Sequence, residues 1–210
     1  MANTIMNEIR VEGTRADIRR IRERLFTGEG KFSFSALVPE ERGNEEWFID
    51  PATLNLEDES TRPDGKVFNW YGFREKHWGP HWDATDCDVV NDEPTYIELR
   101  FDTAWSCAGP WYDRLVAEFP GVTIDYRACD EAMDWYYENG NTRRISEMVD
   151  KTALKRAFIE ENLPGYDTDR LLESDAIDWY CVTVPDLFDQ SSWYMEGEYD
   201  EENLSEYKKK

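Results

Sequence analysis

Along the first two thirds of this 210-residue chain, alternating and helical-period stretches follow one another as strand, helix, strand, strand, helix, strand. Two helices joining antiparallel strands by right-handed crossovers predict an α+β fold, a ferredoxin-like split βαβ antiparallel sheet with two helices on one face. Charge supplies the second observation: 46 acidic against 24 basic residues leave a net charge of −22, and from Tyr166 to Tyr207 thirteen residues are acidic and one is basic. The expected organisation is a domain over residues 1–140, interrupted by a loop-rich insertion at about 40–82, followed by a helical and acidic C-terminal extension over 141–210.

The opening strand rests on Ile5, Ile9 and Val11 alternating with polar neighbours, so that odd positions face a core. Gly13 turns the chain, and Thr14 is set to cap a helix in which Ile18, Ile21 and Leu25 recur at helical spacing, ending near Phe26. Phe32 to Val38 alternates and predicts a strand stopped by Pro39, before the acidic insertion begins. Six aromatics between Phe68 and Trp82 fit neither period and are expected to pack as a lid or core edge. Asp86 to Val90 and Tyr96 to Thr103 read as antiparallel strands joined by a turn at Asn91-Asp92-Glu93-Pro94. Gly109-Pro110 opens a second helix through Glu118, with Trp111, Leu115 and Val116 inward, and Val122, Ile124 and Tyr126 form the next strand. Met133 to Tyr137 adds an edge strand before Asn139-Gly140, and Asp150 to Asn162 is a helix broken by Pro164-Gly165. Trp179 to Val184 is a further strand, and Glu196 to Glu202 reads as an exposed acidic tail.

Composition narrows the function classes. Nine Trp, eleven Tyr and ten Phe are too many large apolar side chains for a chain disordered throughout. No stretch of about 18 apolar residues and no signal-like N-terminus occur, so the expected location is the cytoplasm, without membrane contact. A charge of −22 repels phosphate backbones and favours a basic partner. Cys87, Cys107, Cys129 and Cys181 are far apart and read as free thiols. His77 and His81 have helical ligand spacing, but Gly79-Pro80 lies between them; with Asp83 they remain the residues on which a metal-dependent enzyme would be centred. The carboxylate pairs Asp86/Asp88 and Asp130/Glu131 are expected by chance in so acidic a chain, and no phosphate loop or nucleophile elbow is present.

Met6-Asn7-Glu8-Ile9-Arg10-Val11-Glu12-Gly13, Phe32-Ser33-Phe34 to Pro39, Trp78-Gly79-Pro80-His81-Trp82-Asp83-Ala84, Phe101-Asp102-Thr103-Ala104-Trp105-Ser106 and Phe119-Pro120 together resemble the YubB-like ferredoxin-like proteins of phages and plasmids. The resemblance covers about residues 1–140 and implies a small mobile-element protein with no established catalytic residues to carry over. Trp105 is followed by Ser106-Cys107-Ala108-Gly109 where a proline-containing turn is expected, and the region after residue 140 stands as an addition.

Charge and resemblance together lead to a non-enzymatic counter-defence protein, without cofactor or metal, acting as an anti-CRISPR or anti-restriction inhibitor. It would bind a basic host nucleic-acid-handling complex through an acidic, nucleic-acid-mimicking surface. The expected partner-binding residues are Glu40, Glu41, Glu45, Glu46, Asp50, Glu57, Asp58 and Glu59 in the insertion, and Glu196, Glu198, Asp200, Glu201 and Glu202 near the C-terminus. The alternatives are a nucleic-acid-binding module using the sheet face and Arg19, Arg20, Arg22 and Arg24, or the metal-dependent enzyme.

Overall fold

The computed structural model describes residues 3–50, 62–132, 134–148, 150–180, 187–188 and 196–209. The chain divides after Tyr126 into two compact units. The first holds β1 (Thr4–Glu12), α1 (Arg15–Leu25), α2 (Phe34–Leu37), β2 (Phe48–Ile49), β3 (Val67–Phe68), α3 (Trp70–His77), β4 (Thr85–Glu93), β5 (Tyr96–Ala104), α4 (Gly109–Glu118) and the start of β6 (Thr123–Asp130). The second holds the end of β6, β7 (Trp135–Glu138), β8 (Asn141–Arg144), α5 (Lys151–Asn162), α6 (Thr168–Leu172), β9 (Asp178–Tyr180), β10 (Glu196–Glu198) and α7 (Glu201–Leu204). The class is α+β, and the strands of the largest sheet are ordered β4-β5-β1-β6-β7-β8.

In the first unit β1 and β5 pair antiparallel without a slip from Thr4↔Ala104 to Glu12↔Tyr96. Alternation puts Ile5, Ile9 and Val11 with Ile97, Leu99 and Phe101 in the core. Thr14 caps α1, accepting from the Asp17 N–H, and α1 buries Ile18, Ile21 and Leu25. Arg24 of α1 binds Glu118 of α4 in a two-pronged ion pair, fixing the two helices side by side. The core is aromatic where α4 meets the sheet: Phe32 lies 4.9 Å from Phe101 and Phe34 lies 5.2 Å from Trp111 between ring centres.

Several expectations are corrected. Phe32 to Val38 is a single bridge from Phe32 to Phe26 followed by the short helix α2, rather than a strand. Ser33 caps that helix by accepting from Ser35 N–H, and the Asp83 carboxylate accepts from Phe34 N–H at 2.8 Å, so local capping overrides the alternating pattern. Within the insertion, Trp47, Phe68 and Phe73 form a small buried cluster across a 3-10 turn, the β2–β3 pair and α3, so its described part is more regular than a loop. Val116 faces solvent, and Tyr112 takes the inward place expected of it. β4 runs to Glu93, which moves the predicted turn to Pro94-Thr95.

In the second unit β6, β7 and β8 continue antiparallel, β8 being a strand not expected from the sequence. Asp150, Asp167 and Asp200 cap α5, α6 and α7 through their side chains. Ile159, Leu163, Leu171, Ile177 and Leu204 form the unit's helical core. The expected acidic tail is corrected here: Glu196 to Glu198 is β10, paired with β9, and α7 buries Leu204 completely. The chain's end is fastened by Asp167 N–H to Tyr207 O at 2.7 Å and Lys209 N–H to Gly165 O at 3.0 Å. Of the strand expected over Trp179 to Val184, the structure describes β9 only to Tyr180. Among the described residues, no helix is long and apolar enough to cross a membrane.

Candidate functional site

Three of the five described acidic residues expected to bind a partner in the insertion, Glu40, Glu45 and Glu46, lie against basic neighbours. Glu40 is half-buried and bridges Arg74 at 2.7 Å and Arg42 at 2.8 Å. Glu45 pairs with Arg62 at 2.6 Å, Glu46 lies 3.6 Å from Lys76, and Glu41 accepts from Asn44 Nδ2 at 3.0 Å. Asp50 is exposed, while Glu57, Asp58 and Glu59 lie outside the described residues. These pairs hold charge inside the unit, around the insertion's aromatic cluster.

The second unit differs. Glu173, Asp175, Glu202 and Glu206 line an open cleft of about 540 Å³ together with Ser174, Asn203 and Tyr207. None of these four carboxylates makes an ion pair among the described residues. In the β9–β10 pair Glu198 stands directly across from Asp178, a like-charge opposition that costs stability. Glu198, Asp200, Glu201 and Glu202 are all exposed, and Glu196 is half-buried. Sequence reasoning found the β10 and α7 carboxylates but did not single out Glu173, Asp175, Asp178 and Glu206. A run of acid at helix and turn positions was visible, yet only the fold brings α6's end to α7.

A second charged constellation lies on the β1–β5 sheet, where Glu8, Arg10, Glu98 and Arg100 interlock. Arg10 reaches Glu8 and Glu98, each at 3.2 Å, Arg100 Nε lies 3.3 Å from Glu8, and Tyr96 donates to Glu98 at 2.8 Å. Burial opposes ionisation of Glu98, but hydrogen bonds shared with Glu8 and Tyr96 and the Arg10 charge outweigh it and hold Glu98 below the ordinary carboxylate range. Burial and the Glu98 hydrogen bond push Tyr96 up to about 12. Two carboxylates matched by two arginines make a charge-balanced lattice suited to fixing strand register.

The residues of the alternative readings have structural partners. Arg22 binds Asp92 and the Glu93 carbonyl, Arg24 binds Glu118 and two carbonyls of α2, and Arg20 lies over the Phe119 ring. Arg19 is the exposed remainder of the arginine set. Asp83 accepts from Ser33 Oγ, Phe34 N–H and Ala84 N–H at 2.5–2.9 Å, which makes it a capping residue. His81 stacks on Tyr71 at 3.6 Å, and His77 packs on Trp47 and Phe73; burial is the leading cause that lowers both imidazoles. Among the described residues no group of three or more His, Cys, Asp or Glu is arranged to hold a metal ion. The Asp130 carboxylate closes the turn into β7 by accepting from Asp134 and Trp135 N–H. Cys87 and Cys107 are free thiols that burial pushes up to about 11, far from a reactive thiolate, and the buried Cys129 donates to the Asp130 carbonyl at 3.3 Å. Cys181 lies outside the described residues.

One further feature of the first unit is a presented aromatic. Trp105 holds a left-handed backbone (φ +70°) and is 56% exposed. Beneath it, Tyr126 donates to Asn7 Oδ1 at 2.6 Å and accepts from Ala108 N–H at 2.8 Å, while Thr103 donates to the Ser106 carbonyl at 2.8 Å. Gly79 (φ +99°) packs against the same turn, where a Cβ would fall 2.4 Å from the Cys107 carbonyl. No protein-family model, curated protein or solved structure matches this chain.

Proposed function

We propose that this chain is a non-enzymatic binding protein that docks its carboxylate-rich second unit onto a basic surface of a nucleic-acid-handling protein and so competes with nucleic acid. The observation that carries the proposal is the convergence of Glu173, Asp175, Glu202 and Glu206 on one cleft, with Glu198 set against Asp178 across the β9–β10 pair, and no basic side chain paired with any of them among the described residues. Opposed carboxylates weaken a fold, and a cationic partner converts that cost into affinity and steers the encounter. The expected partner-binding residues at β10 and α7, Glu196, Glu198, Asp200, Glu201 and Glu202, remain the centre of this reading, and the insertion carboxylates become secondary to it. A phage- or plasmid-encoded setting, with a CRISPR effector or restriction complex as the target, comes from the resemblance to YubB-like proteins alone. For the first unit we propose a ferredoxin-like core, supported by the order β4-β5-β1-β6 with α1 and α4 as the crossovers, to which β7 and β8 are additions.

The test is capture of partners from host lysate by tagged chain at low and high salt, followed by nucleic-acid competition on whatever purified complex is recovered. A partner released by salt, displaced by its own nucleic acid and lost on combining Glu198→Lys, Glu201→Lys and Glu202→Lys supports the proposal. Capture that persists in salt and in the charge-reversed chain overturns it.

A further inference from the structure

The edge of the first unit's sheet carries an interaction surface of a different kind. β4 is the terminal strand in the order β4-β5-β1-β6, nine residues long and paired with β5 alone among the described residues, so apart from the Glu93 carbonyl, which Arg22 binds, its other side presents backbone N–H and C=O groups with no strand beside them. Val89 and Val90 are 47% and 45% exposed on it, among the few large apolar residues left in solvent within the described part of the chain. Beside it, on the face toward the helices, is an open pocket of about 410 Å³ lined by Phe26, Lys31, Phe32, Ala84, Cys87 and Val89.

Outside its two register shifts, β4 divides its side chains between the two faces of the sheet. Val89 lies opposite Leu99, whose side chain is fully buried under the helices, so Val89 points to the pocket side. Asp88 lies opposite Arg100, Asn91 opposite Glu98 and Glu93 opposite Tyr96, all on the other face. A strand laid along β4 would therefore send one side chain into the pocket and the alternate residues of its other face toward Asp88, Asn91 and Glu93. Phe26, Phe32, Ala84 and Val89 in the pocket lining favour an apolar side chain there, with Lys31 and Asp86 of opposite charge at the same pocket. The register shifts at Thr85/Asp88 and Val89/Asn91, with Asp86 in a left-handed conformation, twist the edge. Exposed Asp86, Asp88 and Glu93 set a second copy of the same edge against like charge, so self-pairing is disfavoured and a basic segment is not.

We infer that β4 accepts an extended segment of a partner protein by strand addition, its sequence alternating basic residues around one apolar residue that fills the Phe26–Phe32–Val89 pocket. The inference rests on the proposed preference for a basic partner and names a second surface for it.

The probe is the peptide Lys-Thr-Lys-Leu-Lys-Thr-Lys, measured by titration calorimetry and by amide exchange of β4 in the full chain. Methylating alternate backbone nitrogens of the peptide keeps its charge and removes its ladder hydrogen bonds. The expected result is binding weakened at least about tenfold by that methylation, or by replacing the peptide's leucine with alanine, with slower exchange in β4 on binding. Val89→Lys, a surface change that leaves the fold intact, abolishes binding, while Glu201→Lys with Glu202→Lys in the second unit leaves it unchanged. Equal binding of the methylated peptide, or no binding at all, overturns the inference. Loss of binding only in the second-unit variant also overturns it but leaves the proposed acidic docking surface standing.

Discussion

Replacing Glu198 by lysine is expected to stabilise the protein while removing its partner. Glu198 faces Asp178 directly across the β9–β10 pair, so the two Cβ atoms stand about 5 Å apart and the charges about 6 Å. In a water-like medium that separation corresponds to about 0.7 kcal/mol of repulsion. A lysine reverses the sign, a swing of about 1.4 kcal/mol before screening. At physiological salt, where the Debye length is about 8 Å, roughly half survives. With about 2–4 °C of melting temperature per kcal/mol in a chain of this size, Glu198→Lys should melt about 2 °C higher than the parent. In 1 M salt, where the Debye length is about 3 Å, the gain should fall below about 1 °C. Calorimetric melts of both chains at the two salt concentrations measure this, and amide exchange at Asp178 to Tyr180 localises it. A lower melting temperature, or a gain that does not shrink with salt, would refute the argument that these carboxylates are held against one another.

Two further outcomes are expected. Tyr126→Phe removes the donor to Asn7 Oδ1 and the acceptor of Ala108 N–H, both buried, and should destabilise by about 1–3 kcal/mol in denaturant unfolding; an effect under about 0.5 kcal/mol would show that the Trp105 turn is held otherwise. The Glu98 carboxyl is held below its ordinary range in the folded chain, so its contribution to stability is complete above pH 4.5 and is lost as the pH falls through its folded value. Glu98→Gln should therefore be less stable than the parent at neutral pH yet lose less between pH 4.5 and 3, and parallel acid titrations of the two chains would contradict this.

Much of the first unit was legible because its signals are local and periodic. Ile18, Ile21 and Leu25 on one stripe, with Thr14 before them, specify α1 without reference to anything else. Phe32 to Val38 misled because Phe-Ser-Phe alternates like a strand, whereas Ser33 and the distant Asp83 between them satisfy the first amides of a helix. That decision lies 50 residues away along the chain, beyond the reach of any window. The sheet lattice of Glu8, Arg10, Glu98 and Arg100 was hidden for the same reason. On its own strand each of these residues reads as a solvent-facing polar position, and only the register Glu8↔Arg100 and Arg10↔Glu98 turns four exposed charges into two buried carboxylates matched by two arginines.

The candidate site was half legible, and the missing half is a matter of compensation rather than position. The insertion and the C-terminal region look equally acidic in sequence, and nothing local distinguishes a carboxylate that closes a fold from one that awaits a partner. In the insertion Arg42, Arg62, Arg74 and Lys76 fold back onto Glu40, Glu45 and Glu46 and consume the charge internally. In the second unit the basic residues that could do the same are used elsewhere. Arg170 donates to the Glu206 backbone carbonyl and lies over Tyr207, and Lys209 donates to the Pro164 carbonyl. Their cationic groups fasten the backbone of the chain's end instead of neutralising Glu173, Asp175, Glu202 and Glu206. These positive charges thus fasten the segment that follows α7, and the carboxylates stand in an ordered rather than a trailing array. An ordered array loses less conformational entropy on binding than a flexible tail, so it can be selective as well as attractive.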